Sequence, residues 1–97
     1  MQHRSENRHE LMLRGFAFFS RYEQLRGDIP EVHYNIGRAF HQIGIYHLAL
    51  PYYEKVISMN SDYVQEAARN LGLLYVSTGC NELAHMVFRK HLDSQQS

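Results

Sequence analysis

Sliding the 97-residue chain against itself by 35 positions lays Asn35-Ile36-Gly37 on Asn70-Leu71-Gly72, Phe40 on Tyr75, Gly44 on Gly79, Leu48-Ala49 on Leu83-Ala84 and Tyr53 on Phe88. An internal repeat of this period restricts the chain to architectures built by stacking one supersecondary unit on the next. The matched residues are small, apolar and aromatic, and they recur at spacings of three, four and five. Packed helices and tight turns demand that spacing; a catalytic constellation does not. The expected class is all-α.

Each unit reads as two helices joined at a glycine. In the first, Asp28-Ile29-Pro30-Glu31 has the form of a capping box, with a proline tolerated in the opening turn. Ile36, Ala39, Phe40 and Ile43 then recur on one helix face, and Gly44 has the backbone freedom to end the helix and turn. A second helix is expected from about Tyr46 to Met59. Pro51 lies within it, where a lost donor and a displaced Leu50 predict either a start near Leu48 or a kink.

In the second unit, Ser61 or Asp62 is expected to cap a helix running to about Ser77, Gly79 to turn the chain, and Asn81 to cap a last helix to about Leu92. Upstream, Leu11, Leu13, Phe16, Ala17, Phe19, Tyr22 and Leu25 predict a helix over about 5–26, ending at Gly27. The expected organisation is an N-terminal helix packing on the array (1–27), two repeats (28–60 and 61–93) and a polar tail (94–97), giving about five helices in a right-handed solenoid. At this length stability is modest unless neighbouring repeats add to the core, so a piece of a longer array fits the size.

Gly37 and Gly72 fall mid-helix, where each costs about 1 kcal/mol against alanine. Close approach of a partner helix is the natural compensation. Ala49 and Ala84 stand at the matching places on the facing helices, with Phe40, Tyr53, Tyr75 and Phe88 filling the flanks. A bulky residue at Gly37 or Ala49 is expected to overpack the pair, at about 1–3 kcal/mol.

Ten Lys and Arg balance ten Asp and Glu, which removes the net attraction that sequence-independent nucleic-acid binding requires. Direct nucleic-acid contact is therefore not expected, and the arginines of the first helix read as a solvated face interleaved with Glu6, Glu10 and Glu23. No run approaches the roughly 20 apolar residues of a membrane span. Cys80 alone forms no internal disulfide, which suits a reducing compartment, nuclear or cytosolic.

Seven histidines invite a metal reading, but none has the i, i+4 spacing of a helical site; His41 and His47, and His85 and His91, are each six apart. No cofactor or metal is expected, and His33, His41 and His47 are read as packing or partner contacts. No nucleophile sits in a recognisable turn, Cys80 has no charged neighbour closer than Glu82, and the glycines lack phosphate-loop spacing. The chain reads as no enzyme.

What remains is a surface. Stacked repeats line a concave groove with the outward face of each first helix, which points to Tyr34, Arg38, His41 and Gln42 in one unit and Arg69, Leu73 and Val76 in the next as candidate partner contacts. Self-association through the last helix, which carries Met86, Val87 and Phe88, is a further expectation compatible with that surface.

The small residue, aromatic, turn glycine, alanine and second aromatic of each unit resemble the tetratricopeptide repeat. Gly37, Phe40, Gly44, Ala49 and Tyr53 match its pattern once, and Gly72, Tyr75, Gly79, Ala84 and Phe88 match it again. His33 and Ala68 stand where the family often has tryptophan, Val56 and His91 where it prefers alanine, and no proline closes either unit. The lysine and asparagine clamp by which some members hold a C-terminal carboxylate is not matched.

The stretch from Glu31 to Ile57, with Arg14 to Tyr22 and Leu25 to Gly27 before it, is similar to the tetratricopeptide subunit family of TFIIIC, a transcription factor serving RNA polymerase III. That resemblance covers roughly residues 11–90. It implies a nuclear scaffold whose partners are other TFIIIC subunits and TFIIIB, helping to recruit the latter. The repeat alone implies instead a generic peptide-binding adaptor of co-chaperone or trafficking type.

Overall fold

A computed structural model describes residues 4–92, and the expected tail at 94–97 lies outside them. The described residues form five helices: α1 (Arg4–Arg26), α2 (Pro30–Gln42), α3 (Tyr46–Ser58), α4 (Val64–Ser77) and α5 (Asn81–His91). Packing is serial. Helix α2 lies against α3, α3 against α4, and α4 against α5, while α1 meets α2.

The core is one cluster drawn from three helices: Val32, Ile36 and Phe40 of α2, Ala49, Tyr53 and Val56 of α3, and Ala67, Leu71 and Leu74 of α4. Each large apolar side chain so buried contributes roughly 1.5–3 kcal/mol. Helix α1 adds only partly buried rings to this cluster, Phe19 and Tyr22. Its Leu11, Leu13 and Leu25 are exposed, as is Ile43 at the end of α2, so the apolar periodicity of the sequence overstates what is buried there.

The two intra-unit turns match bond for bond. Gly44 and Gly79 both have φ of 83°. The Ile45 N–H donates to the Phe40 carbonyl at 2.9 Å and the Gly44 N–H to His41 at 3.0 Å; Cys80 donates to Tyr75 at 2.8 Å and Gly79 to Val76 at 3.1 Å. This paired closure is the Schellman arrangement, and its left-handed residue favours glycine.

The helix starts differ from expectation. Asp28 does not cap α2; Ile29 occupies the cap position without a side-chain bond, and the Asp28 carboxylate is drawn to His33 instead. Ser61 accepts the Tyr63 N–H at 3.1 Å rather than capping α4, whose cap residue is Tyr63. Asn81 is the first residue of α5, and Cys80 precedes it as the cap. The expected start near Leu48 is not seen in α3: the helix begins at Tyr46 and Pro51 sits inside it, leaving the His47 carbonyl without its i+4 donor.

The mid-helix glycines are spaces for aromatic rings rather than for the alanines of the facing helices. A Cβ on Gly37 would lie 3.0 Å from the Tyr53 ring and 3.2 Å from the Tyr52 Cβ. A Cβ on Gly72 would run into the Phe88 ring. Ala49 and Ala84 are both buried, as small residues at a helix contact should be.

Candidate protein-binding surface

Four residues of α2 chosen from the sequence, Tyr34, Arg38, His41 and Gln42, gather on the side of the helix that looks toward α4. Arg38, His41 and Gln42 line a cleft of about 210 Å³ together with Tyr53 of α3 and Asn70 of α4. Tyr34 stands at its edge: the Arg38 guanidinium carbon lies 6.0 Å above its ring, and its hydroxyl accepts a 3.0 Å bond from the Asn70 amide. Arg69, Leu73 and Val76 are exposed on α4 but do not line this cleft.

Tyr53 forms the floor. It is fully buried, and its hydroxyl meets His41 Nδ1 at 2.9 Å. Burial holds the Tyr53 phenol well above its ordinary range, with nearby Tyr34 adding to the rise and Arg38 opposing it. Burial also pushes the His41 imidazole below its usual value, so the ring is neutral at pH 7. Tyr53 appears in the sequence only as a core aromatic and Asn70 only as part of the repeat match. Their role on the surface depends on how far the second helix pair swings around the first, which no one-dimensional spacing carries.

A second polar cluster ties α1 to α2. His33 is 4% exposed, and its Nε2–H donates to Asp28, with the Glu23 carboxylate of α1 at 3.8 Å. The hydrogen bond to His33 holds the Asp28 carboxyl below its usual range, against some desolvation and helped by Lys55. The donor atoms of Glu23, Asp28 and His33 fall within 4.8 Å of one another, a ligand set of the type divalent cations use. The positive charge of Lys55 works against a cation there; the trio acts as a charge-assisted clamp through His33 Nε2, while His33 Nδ1 is buried without a hydrogen-bond partner among the described residues. Among the described residues, no helix is long and apolar enough to cross a membrane.

Serial helix hairpins with matched Schellman turns, ring-filled glycines and a polar cleft between successive first helices define a helical-repeat binding module. Residues 30–63 match the model of the tetratricopeptide repeat family, so the chain carries a tetratricopeptide repeat over that span.

Over most of its length the chain is similar to segments of three transcription factor subunits. It is 36% identical to transcription factor tau subunit sfc4 of Schizosaccharomyces pombe, over 95% of this chain and 11% of that protein. It is 39% identical to general transcription factor 3C polypeptide 3 of Homo sapiens, over 79% of this chain and 10% of that protein. It is 33% identical to the transcription factor tau 131 kDa subunit of Saccharomyces cerevisiae, over 95% and 10% respectively. The chain thus spans about a tenth of the length of these relatives. No solved structure matches it.

Proposed function

We propose that this chain is a non-catalytic, protein-holding segment of a TFIIIC-type assembly in the nucleus, and that it helps bring TFIIIB to genes read by RNA polymerase III. The observation that carries this reading is the identity of 33–39% to three transcription factor subunits, spread over 79–95% of the chain rather than over one repeat. In this reading residues 28–60 and 61–93 act as two repeats, with Tyr34, Arg38, His41, Gln42, Arg69, Leu73 and Val76 on the face offered to partners and 1–27 packed against the first repeat. Its partners are proteins and not nucleic acid, in keeping with ten basic side chains balanced by ten acidic ones.

Affinity purification of the tagged chain from nuclear extract, with mass spectrometry of what co-purifies, tests the proposal. Recovery of other TFIIIC subunits or of TFIIIB is expected. Recovery of chaperones or cytosolic proteins alone would return the function to a generic peptide-binding adaptor.

A further inference from the structure

The cleft between α2, α3 and α4 has a one-sided chemistry. Its lining residues, Arg38, His41, Gln42, Tyr53 and Asn70, include a cation and two amides and no carboxylate. Among the described residues no carboxylate is ion-paired with Arg38. Its guanidinium, which has five N–H donors and no acceptor, lies over the Tyr34 ring instead.

His41 joins Arg38 as a donor. A buried phenol needs an acceptor for its proton, and the bond recorded for the Tyr53 hydroxyl is the one to His41 Nδ1. With Tyr53 donating and the imidazole neutral, the ring proton of His41 sits on Nε2, leaving an N–H for a ligand. The Asn70 amide is steadied by Tyr34, and Gln42 adds a second amide at the cleft. At about 210 Å³ the space is below the roughly 300–1,000 Å³ of small-molecule sites and suits a single side chain.

We infer that this cleft receives an aspartate or glutamate side chain projected by a partner protein, its carboxylate held by Arg38 and His41. The inference rests on the reading that the chain holds another protein, and it names the chemistry of the contact. Charge-assisted bonds from a guanidinium to a carboxylate are among the stronger polar contacts, and the Arg38 charge would exclude lysine or arginine from the same space.

The test is fluorescence-anisotropy titration of the 97-residue chain with labelled peptides of about 12 alanine and serine residues, carrying a central pair of glutamates, glutamines or lysines. The glutamate peptide is expected to bind at least about tenfold more tightly than the other two, with a preference that shrinks as salt rises. Arg38→Gln is expected to remove the preference, and Arg89→Gln on α5 to keep it. Equal affinity for glutamate and glutamine peptides, binding by none of them, or a preference that survives Arg38→Gln overturns the inference. Purification from nuclear extract separates this failure from that of the functional reading. If Arg38→Gln recovers the same transcription factor subunits as the unaltered chain, the protein-holding role stands and the cleft is not its acidic contact.

Discussion

The Asn70 amide of α4 donates to the Tyr34 hydroxyl of α2 at 3.0 Å, thirty-six residues back along the chain, and the same device recurs one unit earlier, where Asn35 donates to Tyr22 of α1 at 3.2 Å. In both cases an asparagine reaches a tyrosine on an earlier helix, two helices back for Asn70 and one for Asn35. These bonds fix how far one unit rotates on the next, because an amide and a phenol meet at hydrogen-bond distance in few relative orientations. Asn70→Ala should therefore cost about 0.5–1.5 kcal/mol, as should Tyr34→Phe. The double variant should cost less than the sum of the two in urea denaturation. Strict additivity would show that the bond does not contribute.

Gly72 sits where the Phe88 ring presses closest on the backbone of α4. Alanine is ordinarily the better helix residue by about 1 kcal/mol, so a gain in stability is the default for Gly72→Ala. Here the direction should reverse, with a net loss of about 1–3 kcal/mol, since ring and Cβ cannot share the space. Gly37→Ala, where the nearest ring atoms stand at 3.0 Å, should cost less. Thermal melts of the two variants side by side check the order, and Phe88→Leu in the Gly72→Ala background should recover part of the loss.

The helices and their turns were legible because Gly44, Gly79 and the aromatic spacing report directly on local backbone and core. The helix starts were less legible. Asp28 has the right type and spacing for a cap, yet a buried imidazole five residues on competes for its carboxylate and wins. A charge-assisted bond to a buried partner outweighs a solvated cap. Of the candidate surface, the α2 residues were readable from one helix face. Tyr53 and Asn70 became part of it only through the packing of α3 and α4 around α2, which sequence spacing does not encode.

Lowered imidazole values at His41 and His91, both caused first by burial, make stability depend on pH. The unfolded chain binds protons near the ordinary value of 6.5 while the folded chain resists them to lower pH. Stability is then fully present above the unfolded value and falls as pH drops toward the folded ones. Protonating His41 also denies Tyr53 its acceptor at Nδ1. Urea midpoints should fall between about pH 7 and pH 5, and His41→Asn should flatten that slope. The Asp28 contribution lies in a separate window, lost only as pH falls below the usual carboxylate range. A His41→Asn protein with an unchanged slope would place the dependence elsewhere.

Helix α1 is held by less than the others, although it is the longest at 23 residues. Among the described residues none of α1 belongs to the buried cluster, and its grip on α2 consists of Phe16 and Phe19 against Phe40 at 5.7 and 5.0 Å, the Asn35–Tyr22 bond, the exposed Arg26–Glu31 ion pair and the Glu23–Asp28–His33 clamp. Opening free energy follows buried apolar contact, so the amides of α1 should exchange with deuterium well before those of α2, α3 and α4. Phe19→Ala should accelerate α1 further while leaving α4 protection within about twofold. Phe40→Ala, by contrast, removes the ring on which Phe16 and Phe19 rest and a fully buried member of the core. Its cost of about 3–5 kcal/mol is a large share of any small domain's net stability. It should therefore raise exchange in every helix that packs on α2 or α3. Equal protection of α1 and α3 in the unaltered chain would mean that the ring pairs and the clamp bind α1 as firmly as the core binds the rest.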